Sequence, residues 1–187
     1  MVIAVIPIGN SVRLKNKHFL TLGNKRIIDI IVENLYQSNL FDEIVVYSMV
    51  NFDINYAKFV KDNEGKGPID VLINSLKKFN TNIFFIGGDI PFFSMKSIKN
   101  MLLYPDNLSI IPKWENGYME PLHALYSISA LNYPRKDSFH EFIEQIPKVF
   151  IKAEKFPEYE FFNINTFKDY TIAKEIYQLL LNQNYEI

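Results

Sequence analysis

Two features of the chain have the residue types for phosphate chemistry. One is Asp89, which closes the run Asn82-Ile83-Phe84-Phe85-Ile86-Gly87-Gly88; the other is a basic segment, Arg13, Lys15 and Lys17, that follows the first aliphatic run. A reaction that cleaves a nucleoside triphosphate needs the phosphate charge neutralised, a divalent metal held by oxygen ligands, and the attacking group aligned with the leaving pyrophosphate. Gly9 permits close backbone approach, Ser11 is a donor, and Arg13, Lys15 and Lys17 supply positive charge. Asp89 offers a metal ligand. Asn165, or Asn163 two residues before it, offers a second oxygen. Each piece also has an ordinary use: a basic loop as solvated surface, an aspartate bonded to its own turn, Asn-Ile-Asn-Thr as a helix cap. Their occurrence together, each at the end of an expected strand, favours the chemical reading.

The elements that must hold them follow from pattern. Val2 to Ile6 is a short β-branched run, expected to be a central strand, and Pro7 to His18 is a polar loop after it. Ile27, Ile30, Ile31, Asn34 and Leu35 have helical spacing, and Ile44 to Tyr47 is a second buried strand. Strand, helix and strand joined in this way favour parallel pairing. Asn51 to Glu64 is polar and is expected to hold a short helical piece and a loop. Pro68 opens a helix with apolar Ile69, Leu72, Ile73, Leu76 and Phe79. The strand ending at Asp89 comes next, and Ser94 can cap a helix from Met95 to Leu103. Leu108 to Pro112 is a strand, Leu122 to Leu131 mixes strand and helix signals, Ser138 to Ile146 is helical, and Lys148 to Lys152 is a short strand. Thr166 caps a closing helix whose expected buried face is Ile172, Ile176, Leu179 and Leu180. The pattern predicts one α/β domain over residues 1–187, with no repeat or linker.

Composition narrows the classes. A chain of 187 residues with 48% hydrophobic residues and a net charge of −1 carries neither the signature of disorder nor a bulk field for nucleic acid. With no cysteine, thiolate chemistry and sulfur-ligated metals are excluded. The three histidines have no zinc-like spacing, and His123 is expected to be a packed or hydrogen-bonding residue. Met1 to Pro7 is too short for a signal-peptide core and no apolar run approaches the roughly 20 residues of a membrane span, so a soluble, cytoplasmic protein is expected, without nucleic acid or membrane partners.

Several stretches, in order along the chain, resemble the molybdenum cofactor guanylyltransferases, which attach GMP from GTP to molybdopterin. Ile6 to His18 is similar to that family's first loop, L-A-G-G-x-S-x-R-M-G-x-D-K. Gly67-Pro68-Ile69 resembles its Gly-Pro-Leu helix start, and Gly88-Asp89-Ile90-Pro91-Phe92 its Asp-x-Pro-Phe metal motif. Glu120-Pro121-Leu122-His123-Ala124-Leu125-Tyr126 is similar to its Pro-Leu-x-Ala-Leu-Tyr segment. Phe162 to Asp169 is similar to its closing Asn-x-Asn-Thr-Pro-Glu-Asp. The last two are the most specific.

The resemblance implies a three-layer α/β/α, Rossmann-like nucleotidyltransferase fold with a mostly parallel central sheet. It implies Mg2+ on Asp89 and Asn165, and catalytic roles for Arg13 and Lys17, which stabilise the leaving pyrophosphate, and for Asp89. GTP or another nucleotide would contact Ile8, Gly9, Ser11, His18, Asp62, Gly67, Pro68, Asn163 and Asn165, and the second substrate would be a phosphorylated cofactor. A monomer or weak homo-oligomer is expected. Ile8 stands where the family has a glycine, His18 where it has the lysine, and Asp70 where it has a small residue. The Arg13-x-x-x-Lys17 spacing is similar to that of cytidylyltransferases for acidic sugars. A cobinamide-phosphate guanylyltransferase, a sugar-phosphate cytidylyltransferase and a binding protein without turnover are the alternatives.

Overall fold

The computed structural model describes residues 1–9, 13–63 and 66–182. Strand β1 (Val2–Ile8) is followed by a small hairpin, β2 (Thr21–Leu22) and β3 (Lys25–Arg26), and by helix α1 (Ile27–Gln37). Next come β4 (Glu43–Ser48), β5 (Lys58–Lys61), α2 (Pro68–Phe79), β6 (Asn82–Ile86) and α3 (Met95–Met101). The chain continues through β7 (Ser109–Lys113), β8 (His123–Tyr126), α4 (Phe139–Gln145), β9 (Lys148–Lys152) and α5 (Phe167–Asn182).

Seven strands form one sheet in the order β5-β4-β1-β6-β8-β7-β9. The pairs β5·β4, β4·β1, β1·β6 and β7·β9 are parallel, and only β8 runs against its two neighbours. Alternation along the strands divides the apolar residues between two faces. Ala4, Ile6 and Ile8 of β1 face α1, α3 and α5, whereas Ile3 and Val5 face α2 and α4. Both faces are covered, which is why the central strands read as continuous apolar runs. Ile6, Phe84 and Phe85 are fully buried, and each such side chain contributes roughly 1.5–3 kcal/mol. The three-layer fold with a mostly parallel sheet agrees with expectation. Among the described residues, no helix is long and apolar enough to cross a membrane.

Two local expectations are corrected and one ambiguity is resolved. Lys58–Lys61 is not helical: it pairs in parallel with β4, and the register Val46↔Phe59 and Tyr47↔Val60 uses an edge that the polar sequence concealed. The ambiguous stretch at Leu122–Leu131 divides into strand β8 and a 3-10 turn at Ile128–Asn132. Leu179 is half exposed, and the buried face of α5 is instead Ala173, Ile176, Tyr177 and Leu180. The hydroxyl of Tyr170, on the same helix, donates to the Thr21 carbonyl of the hairpin.

Candidate active site

A cavity of about 520 Å³ opens at the carboxyl ends of the parallel strands, the edge where open α/β sheets bind ligands. Its wall includes Ile8 and Gly9 after β1, Met49 after β4, Asp62 after β5, and Gly87 and Asp89 after β6. Arg13, Lys17 and His18 come from the first loop, Gly67, Pro68 and Val71 from the start of α2, and Asn165 from the segment before α5. Leu122 enters the same wall at the amino end of the reversed strand β8, and its carbonyl accepts a hydrogen bond from Gly87 N–H at 2.8 Å.

The centre of the site is a buried cation between two oxygens. The Lys17 ammonium donates to Asp89 Oδ2 and, at 2.8 Å, to Asn165 Oδ1. Both Lys17 and Asp89 are more than nine-tenths buried, and a charge so far from water persists only when it is paired and hydrogen-bonded. Lys17 reaches this point from a 3-10 turn, Lys17–Phe19, entered through Asn16 in the left-handed region at φ 56°. Three residues per turn send neighbouring side chains about 120° apart. Lys17 therefore points to Asp89 while His18 packs beneath Gly88.

His18 Nδ1 lies 2.7 Å from the Gly88 carbonyl, which can only accept, so Nδ1 carries the proton. Burial holds the His18 pKa below its ordinary value, against the opposing pull of the Gly88 carbonyl and the Asp89 charge. His18 is thus a neutral residue at the resembled family's lysine position, and the charge there belongs to Lys17. Close packing explains the two glycines. A Cβ on Gly87 would stand 2.8 Å from Asp89 Oδ1, and one on Gly88 would stand 3.1 Å from His18 Nδ1 and 3.2 Å from Ile8 Cγ1.

Asn165 is placed from two sides. Ile164 N–H donates to the Asp89 carbonyl at 3.0 Å, which fixes the segment against the end of β6. Asp169 Oδ2 accepts from the N–H groups of Asn165 and Thr166, while Thr166 Oγ1 accepts from Asp169 N–H. This reciprocal cap starts α5. The Asp169 carboxyl lies below its usual pKa: burial works against the shift, but the Thr166 hydroxyl, the two amides and the Arg13 charge outweigh it.

Of the residues expected from sequence, Ile8, Gly9, Arg13, Lys17, His18, Asp62, Gly67, Pro68, Asp89 and Asn165 share this one cavity. Ser11 lies outside the described residues. Asn163 is a correction: it is not on the cavity wall, and its Oδ1 is buried without a hydrogen-bond partner. Residues 162–165 pair with no strand, so no ladder enforces the two-residue alternation that would have put Asn163 beside Asn165. Asp70 does not line the cavity either, because both its oxygens accept from Arg135, at 2.8 and 2.9 Å. Met49, Val71 and Leu122 were not anticipated; the position of Met49, directly after a parallel strand, was the available signal.

The profile of the MobA-like NTP transferase domain matches residues 9–143. The probable molybdenum cofactor guanylyltransferase of Methanocaldococcus jannaschii is 31% identical over 170 residues, covering 82% of this chain and 76% of that one. The molybdenum cofactor guanylyltransferase of Helicobacter pylori is 31% identical over 145 residues, covering 73% and 68%. Molybdopterin-guanine dinucleotide biosynthesis protein A from Archaeoglobus fulgidus has a TM-score of 0.76 at 24% identity, over 96% of this chain and 100% of that one. A cytidylyltransferase from Leptospira borgpetersenii has a TM-score of 0.74 at 17% identity, over 95% and 87%. These two structural likenesses show the fold.

Proposed function

The chain belongs to the MobA-like NTP transferase family and is a nucleotidyltransferase; from that premise we propose that it transfers GMP from GTP to molybdopterin in a Mg2+-dependent reaction. The observation that carries the reading is the convergence of Asp89 Oδ2 and Asn165 Oδ1 on one cationic point inside the cavity. The names of the relatives in Methanocaldococcus and Helicobacter support a guanylyl group as the one transferred and the molybdenum cofactor as its acceptor.

A carboxylate and an amide carbonyl are hard oxygen donors suited to Mg2+, which commonly takes one or two protein ligands and completes its shell with phosphate and water. Asp89 and Asn165, whose oxygens already converge on one cation, are the pair that would hold the metal. When bound, the ion supplies positive charge to the phosphate oxygens.

An oxygen of the acceptor phosphate forms the new bond to the α-phosphorus. The bond from that phosphorus to the bridging oxygen breaks, and its electron pair leaves on pyrophosphate. Arg13, exposed on the cavity wall, and the buried Lys17 neutralise the departing charge, a task suited to cations already in place. The acceptor phosphate is already ionised near neutral pH, so no protein base is required.

The test is pyrophosphate release from GTP, CTP, ATP and UTP with Mg2+ and a panel of acceptors: molybdopterin, a phosphorylated cobinamide and sugar phosphates. Release from GTP with molybdopterin is expected. Release from CTP with a sugar, and none from GTP, would replace the reading with the one favoured by the Arg13-x-x-x-Lys17 spacing.

A further inference from the structure

One buried acid touches both segments that build the site without reaching the cavity wall. Glu160 and His123 are each 0% exposed, and Glu160 Oε1 stands 3.1 Å from His123 Nε2, without hydrogen-bond alignment. Phe84, Phe93, Phe156 and Phe161 surround the imidazole edge-on, with ring centroids 5.1 to 6.4 Å away. The other oxygen, Glu160 Oε2, accepts from Ser94 N–H at 2.9 Å and from the Ser97 hydroxyl at 3.4 Å. A buried acid is a poor choice for packing alone, because apolar residues of similar volume are as stable or more so.

Its contacts lie on a short path to the chemistry. Ser94 ends the segment that begins with Asp89, and Glu160 begins the one that carries Asn165. Ile164 N–H to the Asp89 carbonyl is a second tie between the same two segments. His123 lies opposite Ile86, the last residue of β6, and so connects Glu160 to the sheet.

We propose that Glu160, packed against His123, is a positioning residue. It fixes segment 160–165 against segment 89–94 and thereby sets the separation of Asp89 Oδ2 from Asn165 Oδ1. This rests on the reading of those oxygens as the cation site of nucleotidyl transfer.

Glu160→Gln keeps an acceptor for Ser94 N–H; Glu160→Ala removes it. In the alanine variant kcat is expected to fall about 10- to 100-fold, the scale of a misplacement of about 1 Å, with nucleotide KM changed by less than about twofold. The Ile164 amide is expected to exchange with solvent at least about 10-fold faster, as the local opening becomes easier. The glutamine variant restores most of both. An alanine variant with a lower melting temperature but wild-type kcat and wild-type Ile164 exchange would overturn the proposal, since that is what a merely structural acid does. Should the alanine variant fail to fold, exchange in the wild-type protein decides. The Ser94 and Ile164 amides are expected to open together, with protection within about threefold, and free exchange at Ser94 beside a protected Ile164 would overturn it. If the wild type releases no pyrophosphate from any nucleotide, the functional reading fails while the exchange data still decide whether the clamp exists.

Discussion

The Lys17 ammonium stands between the Asp89 carboxylate and the Asn165 amide oxygen, joined to both by hydrogen bonds. Residues from the first loop, the end of β6 and the segment before α5 thus meet at one buried point. The consequences reach both stability and turnover.

Breaking a buried ion pair by removing one partner costs about 3–5 kcal/mol, because the other charge is left without compensation. Lys17→Met and Asp89→Ala are each expected to destabilise on that scale. The double variant should lose less than the sum, with a coupling of about 0.5–3 kcal/mol. Urea unfolding of the four proteins measures it, and strict additivity would mean that the two groups do not pair in solution.

Asp89→Asn preserves the shape of the side chain and removes its charge. If Asp89 holds the metal as proposed, turnover is expected to drop at least ~100-fold, since a metal ligand stabilises transition-state charge by several kcal/mol. Arg13→Ala, at an exposed position on the cavity wall, should reduce turnover while leaving the unfolding midpoint unchanged. Pyrophosphate release compared with urea midpoints separates the two behaviours; near-wild-type rates in Asp89→Asn would remove that residue from the site.

His18 gives the fold a pH dependence with a defined sign. Burial lowers its folded pKa, while the unfolded imidazole titrates at about 6.5. Below that value the unfolded chain binds the proton first, so the contribution is complete above about pH 6.5 and declines as pH falls towards the depressed folded pKa. His18→Gln, which keeps an N–H donor for the Gly88 carbonyl, should flatten the loss of stability between pH 6.5 and 5. Equal slopes for the variant and the wild type would show that another group titrates.

Asp70 is held by Arg135, whose hydrogen bonds lower its pKa. The folded carboxyl is depressed, so the stabilisation is present above the ordinary carboxylate range and disappears as pH falls through the folded pKa. Asp70→Asn is expected to lower the melting temperature at pH 7, the difference closing in acid. Because both oxygens face Arg135, the ranking of the four nucleotides in the release assay should not change. A change in that ranking would return Asp70 to the nucleotide pocket.

Much of the fold was legible because both faces of the sheet are covered: Val2 to Ile6, Ile44 to Tyr47 and Asn82 to Ile86 could only be buried strands. β5 was hidden, since an edge strand with one neighbour tolerates Lys58 and Lys61 at its ends. Within the site, strand ends followed by Gly9 and by Gly87-Gly88-Asp89 were visible as turns with chemistry attached. The role of Lys17 was only half visible: composition showed a cation, but the left-handed Asn16 that aims it between two oxygens leaves no unambiguous mark in sequence. Glu160 gave no signal at all. Among Glu158, Tyr159 and Glu160 nothing local distinguishes the acid that becomes fully buried, because its environment is built by Ser94 and His123 from distant parts of the chain.

The reversal of β8 brings two parts of the chain to one crevice. The ends of β1, β4 and β6 bring Ile8, Met49 and Asp89 to it, and Leu122 and Asn165 join them from the carboxyl-terminal half. Substitutions from Glu120 to Leu122 are therefore expected to change the cavity's shape beside Gly87 while leaving the ends of β1 and β4 in place.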